Sequence, residues 1–561
     1  MKTIFTKKMF ILALALLFSA AHSSAQAPTY QWVNEGYPAP GTFPPQVLGT
    51  AIAIDGSGNS YVTGSYAGRT KFGTGADTIP VTEASAGSSD QGNTYLAKYD
   101  NTGKIVWVRT AEIKQHYAGI NSGAGVAVDA AGNSYITVFF HDSVDVGGTV
   151  LTTVSNNHSG CFIAKYDASG NMVWAKKAGD GDMYAAGIAV DASGNCYLSG
   201  QMSYNGTIAG TAFSNGFFVS KYDPNGDPVW AVGNEGNTFG NGIACSGSSV
   251  FATGYYYGSA PTFGSTTLAD PVPANTHFFV VKLDLSGTFV WAQGNTSTDA
   301  HTASKAWSVA ADNSGNCFVA GTFSSEMKFG TSDVLSGTGT QTNSFLLKYN
   351  SSGVEQWAKS FSATNGDGNL NNGVCTDNAG NAYITGSFAY STNFGATTLS
   401  SPPGSFAAKF DPSGTNVWAV YAGGTFGKAI AADNSGVNFV GKFQYSAMFG
   451  TLTVSNSSFY PAMYIARLSS ATGVNDLSAM GYNVSVYPNP AMENVTVALN
   501  KEIQNGKLDI LDVTGRLLYS TVLINTHKSE VNTSVWPNGI YFVRITDGIS
   551  AHTEKLIISG N

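Results

Sequence analysis

Charged residues are scarce in this sequence of 561 residues. Asp, Glu, Lys and Arg make up 11% of the chain, and 36 acidic residues outnumber 28 basic ones, which gives a formal net charge of −8. A mildly acidic chain has no electrostatic attraction for nucleic acid or for anionic lipid. Neither is therefore expected as a partner.

Cysteine is also scarce, and its five copies form an odd number. An odd count excludes complete pairing within one chain. We expect small buried thiols, and a single disulfide between neighbouring segments remains the alternative. The positions are Cys161, Cys196, Cys245, Cys317 and Cys375.

Long hydrophobic runs are absent after the first two dozen residues, so no integral membrane segment is expected once these are removed. Residues 1–27 have the three parts of a secretory signal peptide: a basic start, an apolar run over 9–21 and the small-residue cleavage site Ala25-Gln26-Ala27. Cleavage after Ala25 fits equally well. A membrane anchor is the alternative, and the short apolar run disfavours it.

Familiar catalytic motifs are missing as well. The sequence has no His-Glu-x-x-His, no Gly-x-Ser-x-Gly and no phosphate-binding loop, and its Cys and His residues lack zinc-site spacing. We therefore predict no catalytic residues, no metal site and no cofactor. An enzyme stays open as an alternative, because acids such as Asp180, Asp182 and Asp367 would suit hydrolysis if the fold brought them together.

What the sequence does contain is glycine, with 66 copies, and aromatic residues at 12%, which is typical of an all-β, turn-rich protein. One sequence motif recurs between residues 95 and 468. Its second copy has a strand at 162–167, a turn at Gly170 and a tryptophan four residues later. The same offset is kept six times, which indicates a repeat architecture. The tryptophans are Trp107, Trp174, Trp230, Trp291, Trp357 and Trp418.

A second turn signal precedes each copy, as in Asp55-Gly-Ser-Gly-Asn59. The Asp carboxylate accepts backbone N–H groups of the turn, and the glycine adopts the positive φ. Each repeat therefore predicts a four-stranded antiparallel sheet. Seven repeats follow one another, with this turn starting at Asp55, Asp129, Asp191, Ser246, Asp312, Asp377 and Asp433.

These two motifs resemble those of the bacterial seven-bladed β-propeller family with SBBP repeats, over about residues 30–470. The resemblance implies an all-β propeller of seven four-stranded blades, here assigned to 28–470, and implies almost nothing about activity. The seventh repeat lacks its tryptophan strand, while residues 30–36 resemble 230–236. We therefore predict that the first strand completes the last blade beside 463–467 and leaves no open edge.

Aromatic residues also precede the Asp turns, at the end of the repeats where propellers usually bind ligands. We predict a broken ring of aromatics at the channel mouth, suited to stacking on sugar rings. Sealing of neighbouring blades is the alternative, and 255–257, three consecutive tyrosines, are a further candidate. The predicted ligand-binding residues are Tyr184, Phe239, Trp307 and Phe426.

The repeat pattern stops near residue 471, and 471–481 is predicted to be a linker. Strands are then expected at 484–487, 495–499, 507–512, 516–522, 540–546 and 554–558, which predicts a small β-sandwich over 482–561. Three spaced motifs in this segment resemble the C-terminal sorting domain of the Bacteroidetes type IX secretion system. Their residues are Tyr487, Pro488, Asn489, Pro490, Gly515, Arg516, Gly539, Tyr541 and Lys555.

This second resemblance implies export to the periplasm, translocation across the outer membrane by the type IX machinery, and a secreted or cell-surface location. Our first hypothesis is a non-enzymatic binding protein that presents the propeller to a glycan or a surface protein. A propeller hydrolase or lyase acting on extracellular polysaccharide is the second hypothesis, and a structural surface scaffold is the third. The sequence does not identify the ligand.

Overall fold

A computed structural model describes residues 28–559, apart from 39–45, 75–76, 82–91, 114–121, 154–158, 271, 330–332, 338–341, 362–369, 396, 401–402, 434, 457–458, 470–474, 477–481, 514 and 547–549. The predicted signal peptide, most of the predicted linker and Asp367 lie outside the described residues. The chain divides into two compact units, one covering Ala27–Ser470 and the other Ala471–Asn561. The described residues form strands and turns and contain no helix.

The first unit begins with β1 (Tyr30–Pro38), and then each of the first five repeats adds four long strands and a short hairpin. Repeat one has β2 (Gln46–Ile54), β3 (Ser60–Ala67), β4 (Thr70–Thr74), β5 (Asp77–Val81), β6 (Asn93–Tyr99) and β7 (Ile105–Ile113). Repeat two has β8 (Ser122–Val128), β9 (Ser134–His141), β10 (Ser143–Val146), β11 (Thr149–Thr152), β12 (Ser159–Tyr166) and β13 (Met172–Lys177). Repeat three has β14 (Met183–Val190), β15 (Cys196–Met202), β16 (Gly206–Ile208), β17 (Thr211–Phe213), β18 (Gly216–Tyr222) and β19 (Pro228–Asn234).

The remaining repeats follow the same order. Repeat four has β20 (Thr238–Ser246), β21 (Ser249–Tyr256), β22 (Thr262–Phe263), β23 (Thr266–Thr267), β24 (His277–Asp284) and β25 (Phe289–Gly294). Repeat five has β26 (Ala303–Ala311), β27 (Cys317–Ser324), β28 (Glu326–Phe329), β29 (Asp333–Ser336), β30 (Asn343–Tyr349) and β31 (Glu355–Phe361). Repeats six and seven share one strand and comprise β32 (Leu370–Thr376), β33 (Ala382–Phe388), β34 (Ser391–Asn393), β35 (Thr398–Ser400), β36 (Gly404–Phe410), β37 (Asn416–Ala432), β38 (Gly436–Phe449), β39 (Leu452–Ser455) and β40 (Ala462–Ser469).

Each repeat forms a small antiparallel sheet in the order of its four long strands, as in β14-β15-β18-β19. The Asp turns join the first and second strands as expected. In the first of them, Asp55 Oδ1 accepts the backbone N–H groups of Ser57 and Asn59 at 2.9 and 3.0 Å. Repeat one is joined to the β10–β11 hairpin through β7, and repeats six and seven are continuous because β37 passes from one sheet into the next.

The seventh sheet takes its fourth strand from the beginning of the chain. β1 pairs antiparallel with β40, placing Trp32 opposite Arg467 and Asn34 opposite Ile465. The same strand contacts the second turn of repeat one, because Trp32 Nε1 donates to the Asn101 carbonyl at 3.2 Å. The predicted position of the first strand is therefore confirmed.

Five of the six repeat tryptophans join one sheet to the next, whereas Nε1 of Trp418 has no hydrogen-bond partner among the described residues. The Nε1 group of Trp107 donates to the carbonyl of Ala168, and Trp174 donates to Pro224 in the same way. A Cβ atom added to Gly170 would lie 2.8 Å from the Trp107 ring, so this turn glycine leaves room for the indole. Equivalent bonds join Trp230 to Leu285, Trp291 to Ser351 and Trp357 to Pro412.

A recurring lysine in each third strand lies beside the same contact. Their recurrence at one position per repeat in the sequence predicts pairing with the turn aspartates, and for most of these lysines that prediction is wrong. The Lys98 ammonium lies 5.0 Å from the centroid of the Tyr61 ring and donates to the Ala168 carbonyl at 3.1 Å. The long lysine stem carries the charge past the tyrosine toward the next repeat. Only repeats six and seven have the ion pair among the described residues, as Lys409–Asp377 at 4.0 Å and Arg467–Asp433 at 3.3 Å.

The five cysteines are free thiols at buried or half-buried positions. Burial raises the pKa of Cys161 to about 11, so this thiol stays protonated near neutral pH. The alternative of a disulfide is not found.

The second unit is a six-stranded sheet of β41 (Asn475–Asp476), β42 (Val484–Tyr487), β43 (Asn494–Asp512), β44 (Leu517–Asn532), β45 (Gly539–Thr546) and β46 (Ser550–Ile558). β43 replaces two predicted strands. Its first half pairs with β42 and its second half with β45, and the two halves share one apolar core. The predicted sandwich is thus one continuous sheet whose halves enclose a common cluster. Asn475 and Asp476, within the predicted linker, pair with β46.

Glu35 in β1 makes the stability of the first unit dependent on pH. Burial raises the pKa of its carboxyl to about 7, from an ordinary value of 4.5, and its Oε2 has no hydrogen-bond partner among the described residues. Between these values the folded state binds more protons than the unfolded state, so stability falls as the pH rises and levels off above about 7.

We therefore expect Glu35→Gln to remove this part of the slope and to make the unit more stable than the parent protein above about pH 7. Urea unfolding between about pH 4 and about pH 8 measures the effect. Exposed Glu235 provides the control as Glu235→Gln. Parallel pH curves for Glu35→Gln and the parent would contradict the assignment.

Candidate ligand site

A cavity of about 520 Å³ lies where the first strands of all seven repeats meet. Its lining residues come from β2, β8, β14, β20, β26, β32 and β37. The volume is in the range of pockets that hold small-molecule ligands. Because every repeat contributes its first strand, the cavity is a product of the repeat itself.

Each of these strands carries a β-bulge at the same place. In β2, Gly49 pairs with Gly64 and Ala51 with Thr63, so Thr50 is an extra residue without a partner in the ladder. A bulge re-aims the extra side chain and bends the strand. The bulged positions, which we call the bulge ring, are Thr50, Ala124, Ala186, Asn241, Trp307, Asn372 and Lys428.

The bulge ring lines the cavity. Thr50, Ala186, Asn241, Trp307, Asn372 and Lys428 all contribute to its wall, and the side chain at 124 lies outside the described ones. The backbone bulge is present in every repeat, whereas the residues at the bulged positions differ in size, polarity and charge. Small residues occupy one side of the ring, and amide, aromatic and cationic residues occupy four consecutive positions.

A glycine in the second strand makes room for most bulges. A Cβ atom added to Gly64 would lie 1.8 Å from the Leu48 carbonyl oxygen, and one added to Gly254 would lie 1.8 Å from that of Phe239. No larger side chain fits at such a distance. These second-strand glycines therefore support the site, although they lie outside the cavity.

Two asparagines of the bulge ring connect neighbouring repeats. Asn241 Nδ2 donates to the Ala306 carbonyl at 2.7 Å, and Asn372 Nδ2 donates to the Gly427 carbonyl at 2.8 Å. Each bond fixes the orientation of an amide at the cavity wall. The amide oxygens are the acceptors that remain for a ligand.

A second cavity of about 350 Å³ adjoins the first and shares Thr50, Asn372 and Lys428 with it. Phe426 and Lys442 line its other side. Burial, together with the nearby Lys442 ammonium, lowers the pKa of Lys428. Repeats six, seven and one thus form a cationic extension of the central cavity.

The predicted aromatics are only partly brought together. Trp307 lines the central cavity and is 37% exposed, with its Nε1 held by Thr322 Oγ1 at 3.0 Å. Phe426 lines the second cavity and is exposed. Tyr184 lines neither described cavity and instead stacks on Phe139, with ring centroids 4.4 Å apart.

Phe239 belongs to an aromatic ladder that runs toward Trp307. Its ring stacks on Tyr255 at 4.9 Å and on Tyr257 at 5.8 Å. The Lys305 ammonium then lies 4.4 Å from the Tyr255 ring centroid and 5.9 Å from that of Trp307. Two of the predicted aromatics, Phe239 and Trp307, thus belong to one ladder beside repeats four and five.

Sequence reasoning missed Thr50, Asn241, Asn372 and Lys428. Their signal is weak but present, because three of the four stand between two small residues, as in Gly240-Asn241-Gly242 and Gly427-Lys428-Ala429. In most repeats with a predicted aromatic residue, that residue stands two places before the bulged residue, as Phe239 does before Asn241. In repeat five the predicted aromatic residue, Trp307, is itself the bulged residue.

No acidic residue is among the described residues that line either cavity. Asp180 pairs with Lys177 at 2.7 Å, and Asp182 Oδ1 accepts the Ser159 backbone N–H at 2.6 Å. The two acids are thus engaged outside the cavities. Across the described ranges, no group of three or more His, Cys, Asp or Glu side chains is arranged to hold a metal ion.

Most of the sorting-motif residues lie where β43 ends, β45 begins and β46 ends, since Tyr541 pairs with Asp512 on β43 and with Leu556 on β46. Asn489 bridges to β46, donating from Nδ2 to the Lys555 carbonyl at 2.6 Å and accepting the Ile557 N–H at 2.9 Å. Tyr487 ends β42 and is 50% exposed, and the peptide bonds before Pro488 and Pro490 are cis.

The other motif residues shape a turn and a strand. Gly515 has a φ of +83° in the turn after β43, where Arg516 Nε contacts Asp512 at 3.0 Å. Gly539 begins β45, and the Tyr541 hydroxyl donates to the Pro537 carbonyl at 2.7 Å. These contacts give the motifs a structural role within the unit.

Three solved structures are similar to this chain at low identity. A polysaccharide lyase is 11% identical, covering 80% of this chain and 94% of its own, with a TM-score of 0.37. A protein of unknown function from Dyadobacter fermentans is 9% identical, with coverages of 62% and 93% and a TM-score of 0.34. A protein from Lactobacillus plantarum is 12% identical, with coverages of 70% and 99% and a TM-score of 0.31.

Among curated proteins, an uncharacterized WD repeat-containing protein of Acanthamoeba polyphaga mimivirus is 24% identical over 443 residues. The match covers 62% of this chain and 31% of the viral protein, so this chain spans about a third of that relative. Within the described residues, no helix is long and apolar enough to cross a membrane.

The C-terminal resemblance is confirmed by a family match. Residues 485–559 match the model of the secretion system C-terminal sorting domain. This domain implies an interaction with the secretion machinery. The protein therefore carries a type IX sorting domain and is delivered to the cell surface or the extracellular space.

Proposed function

We propose that residues 28–470 form a seven-bladed β-propeller that binds an extracellular glycan in its central cavity without chemically changing it. In this proposal residues 1–27 are a signal peptide, and 482–561 serve export. The bulge ring carries the proposal, because seven equivalent strands each have a bulge at the same place and six of the bulged residues line one shared cavity.

Several contacts support the ring of blades. Five of the six repeat tryptophans donate to a turn of the following repeat, and Trp32 makes the same bond from the last sheet to the first. Such contacts between consecutive sheets, together with seven inner strands around one cavity, are what radial repetition of blades produces.

The chemistry of the wall supports a sugar as the ligand. Trp307 offers an indole face, and the amides of Asn241 and Asn372 offer fixed polar groups. Apolar faces with a few oriented polar groups suit a pyranose ring, which has both apolar faces and hydroxyl edges. A hydrolase that uses a pair of carboxylates would need two acids there, and the described lining residues supply none.

A glycan array probed with the full chain tests the proposal. We expect binding to a defined set of glycans and a loss of about tenfold or more in affinity for Trp307→Ala, since stacking on an aromatic ring contributes roughly 1–3 kcal/mol at comparable sites. Phe542→Ala is the matched control, because Phe542 is equally exposed at 37% but lies in the second unit.

Two results would contradict the proposal. One is the absence of binding to any glycan, which would favour a scaffold. The other is binding that Trp307→Ala and Phe542→Ala weaken equally. Cleavage of a bound glycan, detected as new reducing or unsaturated ends, would establish the hydrolase or lyase hypothesis instead.

A further inference from the structure

We propose that the glycan is acidic and that its carboxylate or sulfate group binds between Lys428 and Lys442. This inference rests on the proposed glycan-binding function and narrows it to a class of ligand. It starts from the position of the two lysines, which line the same cavity beside the central one.

Lys428 is the cation of the bulge ring and borders both cavities. Lys442 lies on the neighbouring strand β38, directly opposite Phe426 in the ladder. Its ammonium is 5.5 Å from the centroid of the Phe426 ring. The bulge therefore turns Lys428 toward a wall that already holds a second positive charge.

The two ammonium groups have no described counter-ion. Neither is in an ion pair with a carboxylate of the described residues, whereas other lysines of the chain are, such as Lys409 and Lys507. Two like charges without a partner repel each other. A bound anion would reverse this repulsion and form charge-assisted hydrogen bonds with both groups.

Acidic side chains lie at the other end of the inner strands. A third cavity there is lined by Asp55, Asp377 and Asp433. Five residues of strand separate Thr50 from Asp55, a distance of roughly 16 Å. Asp377 and Asp433 already have Lys409 and Arg467 as partners. These carboxylates are too distant and too well compensated to neutralise the lysine pair.

The surroundings of the lysines favour a sugar acid over a bare anion. Phe426 offers an exposed apolar ring, and Ser387 and Thr50 line the same wall with hydroxyl groups. A uronic acid or a sulfated sugar combines a charge with an apolar ring face. The chain as a whole has a net charge of −8, so it has no general affinity for polyanions, and recognition must come from this local pair.

Titration calorimetry of the full chain with three oligosaccharides tests the inference: a neutral galactan, an oligogalacturonate and a sulfated galactan. We expect one or both acidic ligands to bind more tightly than the neutral one, with affinity that falls as salt is raised. Binding of only the uronate or only the sulfated ligand identifies which anion the site accepts.

Lys428→Met and Lys442→Met are each expected to lower the affinity for the acidic ligand by about tenfold to a hundredfold. This is the usual cost of losing a hydrogen bond to a charged group. Lys428→Arg should retain most of the affinity, which separates loss of charge from loss of folding. Lys104→Met is the control, since Lys104 is exposed and pairs with Asp77 at 3.1 Å.

The outcomes separate this inference from the proposed function. Equal or tighter binding of the neutral galactan, or unchanged affinity in Lys428→Met, would overturn the inference and leave glycan binding intact. If no oligosaccharide of any charge binds, the proposed function itself is overturned and the inference with it.

Discussion

Trp32→Ala is expected to destabilise the whole Ala27–Ser470 unit by about 3 kcal/mol, the lower end of the usual cost of removing a packed tryptophan. Trp32 lies on β1, which supplies the fourth strand of the last sheet. Its ring packs on Gly103, where an added Cβ would approach it to 2.6 Å, and its Nε1 bonds to Asn101. It therefore joins the last sheet to the first.

The effect should extend beyond β1 because this strand is held from two sides. Asn34 Nδ2 also donates to the Gly103 carbonyl, at 2.7 Å, and the side chain of Arg467 on β40 contacts Gln31 at 3.2 Å. Losing the tryptophan loosens the strand that covers the edge of β40. An exposed strand edge then pairs with other chains, so we also expect aggregation on heating.

Thermal and urea unfolding of the full chain measure this prediction. Trp307→Ala is the matched control, because that indole is 37% exposed at the cavity and its loss should cost about 1 kcal/mol or less. Equal stability of Trp32→Ala and the parent protein would show that β1 is a dispensable appendage. Loss of only a minor unfolding phase would show that it frays alone.

Much of the fold follows from local chemistry, and this is why the sequence predicts it. An Asp followed by Gly and Asn specifies its turn within five residues, as at Asp55, where Oδ2 also accepts Asn59 Nδ2 at 2.8 Å. A fixed spacing from turn to tryptophan then marks the strands. The pairing of β1 with β40 was predictable for the same reason, because the sequence of residues 30–36 resembles that of residues 230–236.

The site was less predictable because a β-bulge is a property of two paired strands. Whether Lys428 is an extra residue depends on how Gly427 and Ala429 align with β38, and no local rule fixes that register. The sequence therefore predicted Phe239 as a ligand-binding residue, whereas the residue that lines the cavity is Asn241. The lysine contacts were mispredicted similarly, since the partner of Lys98 is a carbonyl 70 residues away.

The fusion of two predicted strands into β43 has another cause. Residues 500–506 contain one turn signal, Asn505-Gly506, but the ladder with β44 runs through it and pairs Ile503, Asn505 and Gly506. The strand therefore continues, and the ladder with β44 absorbs the change through a shift in register between Ala498 and Ile503. The strands predicted at 495–499 and 507–512 lie on either side of this shift.

Deletion of residues 482–561 is expected to abolish delivery to the cell surface nearly completely and to leave the protein in the periplasm. The sorting domain match covers 485–559, so the deletion removes all of it. The deleted residues have their own core, which includes Val497, Ile510 and Val543. Because the first unit has separate cores, its folding should survive the deletion.

Fractionation of the native host, with antibody detection in the periplasm, at the cell surface and in the medium, measures the outcome. Protease resistance of the periplasmic protein separates failed export from failed folding. A sharper variant is Asn489→Ala, which removes both bonds from the first motif to β46 while leaving the apolar core unchanged. Val535→Ala, at a residue 84% exposed between β44 and β45, is its control.

Asn489→Ala should reduce surface delivery more than Val535→Ala does, because it frees the segment around Pro488 from the strand that carries Lys555. Each lost hydrogen bond costs about 1 kcal/mol, so the unit should stay folded while the relative position of the two motifs changes. Equal surface delivery from the truncated and intact chains would refute export by this domain. Equal delivery from Asn489→Ala and Val535→Ala would show that the machinery does not read the arrangement that Asn489 holds together.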